Sequence, residues 1–345
     1  MANDVSPSKT FDLLAEELSG RKHTVVGFHN RGSKDPMLVE RIKLQVGNAD
    51  AVILGISHPT ERAKPEIEVA ECARDLEVPF GYWSDTFGAF ARPQITHLRD
   101  TASFVFCINE AEAQKARGLF PNATTFGTGS PLWEEFFTPK VPREVARKKL
   151  GVHPETKVIL SPGSKSLMVN ILLWGCLVEA VSWVKLAVED VTVLLSQHPG
   201  DNNPVDAYVE LVRCSPVKTV FIGKSDGSTS DILPAADAVV EFASSIGIEA
   251  ACQRIPIVNF FMHALLNQRG IESWDLCNVG ASYEAINAES LWHLIEMSLI
   301  NPDRLRAKQV SAFPQPPEGS KGAAVKAIAD AFEHLMAIKA QHMVT

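Results

Sequence analysis

The sequence predicts an α/β protein of two domains, each a parallel sheet with helices on its faces. Three observations lead there. The length of 345 residues leaves room for two domains of about 100–200 residues each. The composition, 46% hydrophobic and 21% charged, is that of a folded chain with enough apolar material for sizeable cores. Along most of the sequence, short apolar runs alternate with segments of helical periodicity, the pattern of βαβ units.

Phe11, Leu13, Leu14 and Leu18 place a helix over Thr10–Leu18 that ends near Gly20. The runs Thr24–His29, Ala51–Ile56, Pro79–Trp83, Ser103–Ile108 and Thr124–Gly127 read as buried strands. Between them, Glu66–Leu76 and Glu110–Leu119 have helical spacing. Pro139 and Pro142 interrupt regular structure and mark a linker. Beyond it a helix runs to about Leu150. Strands follow at Lys157–Ser161, Val191–His198, Thr219–Gly223, Ala238–Phe242 and Pro256–Phe260, with a short one near Asn278–Gly280. Helices are expected at Met168–Val188, Asp206–Val212, Asp231–Ala236, Gly247–Arg254 and Ala323–Ala337. The predicted domains are residues 1–138, residues 139–322, and a C-terminal helix and tail at 323–345.

Charge and cysteine usage narrow the function. Lys+Arg 33 against Asp+Glu 41 gives a net charge of −8 without runs of like charge, which disfavours nonspecific binding to nucleic acid or an anionic membrane. The six cysteines are widely spaced, with no Cys-x-x-Cys and no histidine cluster, so no metal site is expected. The N-terminus lacks a signal-peptide pattern. The apolar stretch Asn170–Val188 is broken by Glu179 and Lys185, so a buried helix rather than a membrane span is expected. A cytoplasmic location follows as an expectation.

In parallel α/β sheets, ligands bind beyond the carboxyl ends of the strands, where small residues and helix N-termini meet them. Three junctions have that composition. Ser161-Pro-Gly163-Ser164-Lys165-Ser166 combines a glycine that admits close approach with hydroxyls and a lysine for an anion; an ordinary turn with a capping serine has the same residues. Ser196-Gln-His198-Pro199 ends a strand in an imidazole, which suits a phosphate or sugar hydroxyl and equally a loop carbonyl. Ala243-Ser244-Ser245-Ile-Gly247-Ile-Glu249 delivers hydroxyls, amides and a helix dipole to one point. Glu249 lies one turn past Ser245, where it can accept ribose hydroxyls or serve as a capping or surface carboxylate. No complete P-loop or Gly-x-Gly-x-x-Gly pattern follows a strand.

These residues carry a family resemblance. The strand, small-residue turn and Glu-bearing helix, followed by Arg254-Ile-Pro256-Ile-Val258, resemble the donor-binding half of GT-B nucleotide-sugar enzymes. Ser161–Lys165 resembles the Pro-Gly-Ser-Arg turn of lipid-A-disaccharide synthases. His198-Pro199 and Glu318-Gly-Ser-Lys321-Gly-Ala-Ala resemble UDP-N-acetylglucosamine 2-epimerases, and Gly127-Thr-Gly-Ser-Pro131 resembles the segment that closes many such N-terminal domains. The resemblance implies a GT-B-like fold: two Rossmann-like domains whose parallel sheets face across a cleft, closed by a C-terminal helix. It implies a diphosphate held by Gly163, Ser164, Lys165, Ser244, Ser245 and Gly247, a ribose held by Glu249, and His198 nearby. The glycine-rich first strand and Gly-His pair usual in the N-terminal domain are absent, so either this domain is abbreviated at its start or it builds its acceptor site differently.

For sugar transfer with inversion, a base must reach the acceptor hydroxyl. Asp85 and His58 follow predicted strands and are the candidates, although Asp85 also suits a turn cap. Glu66 and Glu68 are weaker candidates, and Arg92 can bind an anionic acceptor or pair with Asp85. The expected activity is a glycosyltransferase with a UDP-linked donor and no cofactor, because amides and hydroxyls can offset the leaving-group charge. Its acceptor is a polysaccharide, glycolipid or modified nucleic acid. Two alternatives stand beside it: a UDP-N-acetylglucosamine 2-epimerase-like enzyme and a catalytically silent nucleotide-sugar binding protein. A homodimer stays open.

Overall fold

A computed structural model describes the chain except Asn3, residues 28–36, Pro59, and residues 262–273, 317–321 and 343–345. The chain divides into two compact units, Met1–Glu135 with Pro316–Thr345, and Phe136–Gln315. The first contains α1 (Val5–Gly20), α2 (Leu38–Val46), β1 (Val52–Leu54), α3 (Thr60–Asp75), β2 (Phe80–Ser84), β3 (Phe104–Cys107), α4 (Glu110–Arg117) and β4 (Thr124–Gly127). Its strands form a parallel sheet in the order β1-β2-β3-β4. Ile42, Val46, Val69, Tyr82, Val105 and Phe120 are among the residues of its apolar core. The C-terminal helix Ala323–His342 packs on α1. There Arg21 donates to Asp330 at 2.5 Å and to Glu333 at 2.9 Å.

The strand expected at Thr24–His29 does not form over Thr24–Gly27, and residues 28 and 29 lie outside the described residues. A strand needs a partner edge for its backbone groups. On β1 that edge is engaged: the Met1 amine donates to the Ile53 carbonyl at 2.6 Å, and Gly55 N–H donates to the Met1 carbonyl at 2.8 Å. Val25 and Val26 accordingly stay 36% and 56% exposed.

The second unit holds α5 (Arg143–Lys149), β5 (Lys157–Pro162), α6 (Leu167–Val184), β6 (Val191–Ser196), α7 (Asp206–Arg213), β7 (Lys218–Ile222), α8 (Thr229–Ile232), β8 (Ala238–Glu241), α9 (Ser245–Cys252), β9 (Ile257–Phe260) and β10 (Tyr283–Ala285). Helices Asp275–Asn278, Ala288–Ile300 and Asp303–Ala312 also belong to it. The six strands are parallel, in the order β10-β9-β8-β5-β6-β7. From β5 the chain winds outward through β6 to β7, then returns to the other side of β5 and winds outward through β8 to β10. The direction reverses between β5 and β8.

The short strand expected near Asn278–Gly280 is the end of helix Asp275–Asn278 and a turn through Gly280, whose φ of 71° is the left-handed conformation that ends helices. The edge strand forms just beyond it, where Tyr283 pairs with Val258.

Helix α6 shows why the most apolar segment belongs inside. By length and composition it can cross a membrane. Val169, Leu173, Trp174, Leu177, Ala180, Val181 and Val184 instead pack in one core with Ile159, Val193 and Leu195 of the sheet. Each buried Val or Leu among them contributes about 1.5–3 kcal/mol. At the other end of the sheet, Asp237 accepts from Arg143 at 2.7 Å, Arg147 at 2.6 Å and the Val158 amide at 2.8 Å. These bonds tie α5 to the start of β5 and leave the carboxyl end of the sheet free of that network.

Candidate functional site

The winding direction reverses between β5 and β8, and such a switch point at the carboxyl ends of a parallel sheet is where a ligand crevice is expected. Gly163, Ser164 and Lys165 follow β5, and Ser244, Ser245 and Gly247 follow β8. Sheet topology therefore brings the two sequence motifs, some 80 residues apart, to opposite lips of one position. His198 follows β6, the next strand along.

The β5 turn is built from below. Gly163 N–H donates to the Ser196 carbonyl at 2.7 Å. A Cβ at Gly163 would lie 3.0 Å from both that oxygen and the Trp174 ring, so glycine is needed for packing on β6 and α6. The Ser164 amide donates to Asn170 Oδ1 at 2.6 Å, and Asn170 Nδ2 donates back to the Ser164 carbonyl at 3.0 Å and to Tyr208 Oη at 3.0 Å. Tyr208 donates to Asp201 Oδ2 at 2.6 Å, while Asp201 Oδ1 accepts from Asn203 N and Nδ2. Asn170, Asp201 and Tyr208 are fully buried. Burial opposes ionisation of Asp201, but the Tyr208, Asn203 and Gln197 hydrogen bonds outweigh it and hold the carboxyl below its ordinary range. With the Ser164 amide engaged by Asn170, this turn offers a ligand the Ser164 hydroxyl and the exposed Lys165 ammonium.

His198 borders that ammonium. Burial first, and then the Lys165 charge, push its pKa below the usual imidazole value, with Asp201 opposing. Its Nδ1 accepts from Gly200 N–H at 2.8 Å, so the neutral ring carries its hydrogen on Nε2, which is the donor available to a ligand.

Across the reversal, Ala243 has a φ of 50°, a left-handed conformation that costs a non-glycine residue energy and turns the chain sharply from β8 into α9. Ser244 caps α9, its Oγ accepting from the Ile246 amide at 3.3 Å, and Ser245 is exposed at the first helical position. Gly247 has an internal reason to be glycine: a Cβ there would lie 2.2 Å from Glu241 Oε1. Glu249 is 4% exposed, and its Oε2 accepts from Ser230 at 2.7 Å. A ribose contact would therefore share this carboxylate with α8.

Sequence reasoning passed over Asn170, Asp201, Tyr208 and Glu241. Two of them carried a signal: Asn170 is a polar residue in the first turn of the most apolar helix, and Glu241 is the charged residue in a four-residue apolar strand.

In the first unit, polar groups gather beyond β1 and β2. Ser57 donates through N–H and Oγ to Glu66, each at 2.7 Å, and its carbonyl accepts from Gln94 at 2.8 Å. Glu66 is buried in this task, while Glu68 lies between Lys43 and Lys64. Asp4 accepts from the His58 amide at 2.9 Å and from Arg62 at 3.3 Å; His58 itself is exposed. Burial pushes the Asp85 carboxyl above its ordinary range; Arg92 and a Ser6 hydrogen bond pull it back, and Asp4 adds to the rise. Arg92 also donates to the Ile56 carbonyl. Thr128 of the closing segment donates to the Cys107 carbonyl at 3.3 Å. The Glu318–Lys321 motif lies outside the described residues.

No family model matches the chain, and no curated protein matches it. Solved structures do. A putative UDP-N-acetylglucosamine 2-epimerase from Listeria monocytogenes aligns over 96% of this chain and 95% of its own, with a TM-score of 0.61 and 14% identity. The MnaA–UDP structure from S. aureus covers 97% and 96%, with a TM-score of 0.59 and 12% identity. MurG from Acinetobacter baumannii covers 96% and 98%, with a TM-score of 0.58 and 16% identity. These neighbours are GT-B proteins, and the chain has the GT-B fold with its two parallel-stranded sheets.

Proposed function

We propose that the chain is an enzyme acting on a nucleotide-diphosphate sugar, and specifically a glycosyltransferase with a UDP-linked donor. The observation that carries this reading is the switch point between the neighbouring strands β5 and β8, where the turn bearing Ser164 and Lys165 follows one strand and Ser244, Ser245 and the α9 N-terminus follow the other. Hydroxyls, an ammonium and helix amides are the groups that hold a diphosphate and stabilise it as it departs. The MnaA neighbour was solved with UDP, which supports UDP as the nucleotide.

In the transfer itself, a base takes the proton of an acceptor hydroxyl, the oxygen bonds to the anomeric carbon, and the bond from that carbon to the diphosphate oxygen breaks to release UDP. Asp85 is the base we assign, because burial raises its proton affinity in the direction that role needs. His58 is the second candidate. Lys165 and the α9 amides meet the charge that develops on UDP, and His198 Nε2 donates beside them. The acceptor is a polysaccharide, glycolipid or modified nucleic acid.

A second reading, C2 epimerisation of UDP-N-acetylglucosamine, is supported by the Listeria neighbour. A thermal-shift panel of nucleoside diphosphates and nucleotide sugars tests the shared premise, since a ligand of the native state raises its melting temperature; no shift with any of them removes both readings. Release of UDP that depends on added acceptor supports transfer. Interconversion of C2 epimers without acceptor, followed by NMR, replaces transfer with epimerisation. Binding without turnover in either assay leaves a silent binding protein.

A further inference from the structure

Glu241, the last residue of β8, is fully buried, and neither of its carboxyl oxygens has a hydrogen-bond partner among the described residues. It lies under the start of α9, against Gly247, and Leu276 of helix Asp275–Asn278 reaches the same spot: a Cβ on Gly247 would lie 2.2 Å from Glu241 Oε1 and 2.8 Å from Leu276 Cδ1. On the sheet its register partner is Asn259 of β9, whose amide donates to Ser282 at 2.9 Å. The indole nitrogen of Trp274 is also buried without a partner among the described residues.

Burial raises the Glu241 carboxyl to about 8, while the amides of Ser244 and Gly247, with Trp274 and Asn259, draw it partly back. The titratable neighbour from helix Asp275–Asn278 is the Cys277 thiol, raised to about 11 by burial and, to smaller degrees, by Glu284 of β10 and by Glu241 itself. Glu134 shows the ordinary form of such a cap in the first unit. Its two oxygens accept from the Gly322 and Ala324 amides, each at 2.7 Å, at the start of the C-terminal helix. Glu241 approaches a helix start in the same way, but from inside the core and without completing those bonds.

The amides at the start of α9 thus lie between a carboxyl group beneath them and the crevice outside. We propose that Glu241 competes from within with a bound phosphate for these amides, so that binding of a nucleoside diphosphate in the crevice is accompanied by uptake of one solvent proton onto Glu241. This rests on the nucleotide reading given above. Two negative charges sharing one helix end repel, and the repulsion is relieved when the buried group becomes a neutral acid. The neutral carboxyl leaves the helix dipole to the phosphate, and a charged one opposes it. Glu241 is in this sense a positioning residue that makes the affinity of the crevice depend on pH without touching the ligand.

Calorimetric titration of UDP into the protein, in buffers of different ionisation enthalpy between about pH 7.5 and 9.5, tests the coupling; there the terminal phosphate, with a second pKa of about 6, is already ionised. The native protein is expected to take up a proton on binding, with affinity falling by up to about tenfold per pH unit at the upper end. E241Q is expected to bind UDP with no uptake and a flat profile, whereas C277S retains the uptake. An infrared difference spectrum on adding UDP to the native protein needs no variant and is expected to gain a protonated-carboxyl band. UDP binding by the native protein without uptake or that band, or uptake undiminished in E241Q, overturns the coupling and leaves the nucleotide site standing. Absence of UDP binding at every pH overturns the nucleotide reading and the coupling with it.

Discussion

The two lips of the crevice in the second unit are stabilised in opposite ways. Under the β5 turn, Asn170, Asp201, Tyr208 and Asn203 satisfy one another and the Ser164 backbone. Under the β8 turn, Glu241 is buried without a partner among the described residues, and Ala243 carries a left-handed backbone. A satisfied polar network rigidifies its surroundings, while an unsatisfied buried group costs folding energy. One lip is a fixed platform; the other stores a cost that a change of charge state can release.

The largest test of this contrast removes the keystone of the platform. Asp201→Ala takes the acceptor from the buried Tyr208 hydroxyl and from Asn203 and is expected to cost about 2–4 kcal/mol in urea unfolding. A loss below about 1 kcal/mol would show that the network is dispensable.

On the other lip, Gly247→Ala drives a methyl group into the Glu241 carboxyl and is expected to cost about 1–3 kcal/mol. Truncating Glu241 to alanine in the same chain should recover most of it, because the clash partner is gone. Strictly additive losses in that double-mutant cycle would contradict the contact.

The unpaired carboxyl also gives the fold a pH dependence with a definite sign. A group whose pKa is raised on folding, here to about 8, holds its proton more tightly in the native state. Its contribution is complete below the usual carboxyl range and is lost as pH rises through about 8. The melting temperature should therefore fall across that interval in the native protein and less steeply in E241Q; parallel curves would refute the assignment.

Smaller effects concern ligand contact. Lys165→Ala is expected to weaken UDP binding about tenfold through loss of one charge-assisted contact. Ser245→Ala and Glu249→Ala should each weaken it a few-fold. Unchanged affinity of the Glu249 variant by calorimetry would reduce that residue to its bond with Ser230.

Much of this arrangement was legible beforehand. Apolar runs such as Val191–His198 marked strands because buried parallel strands need side chains that pack on both faces, and Gly163 and Gly247 stood out as small residues of a ligand-binding turn. What made each glycine necessary was hidden: Trp174 and the Ser196 carbonyl crowd one, Glu241 the other. Periodicity also misplaced elements where pairing decides. Thr24–Gly27 has strand composition but does not pair with β1, whose edge Met1 holds.

The sequence by itself determined the α/β class, the alternation of elements and the small-residue turns, since these depend on local propensity and on burial patterns a few residues long. Only the tertiary structure decided that strands β5 and β8 are neighbours at the reversal, that Asn170 meets Asp201 and Tyr208, and that Glu241 lies beneath α9. Each of those depends on contacts between segments far apart in the chain, whose partners are chosen by packing and by the need to satisfy buried polar groups.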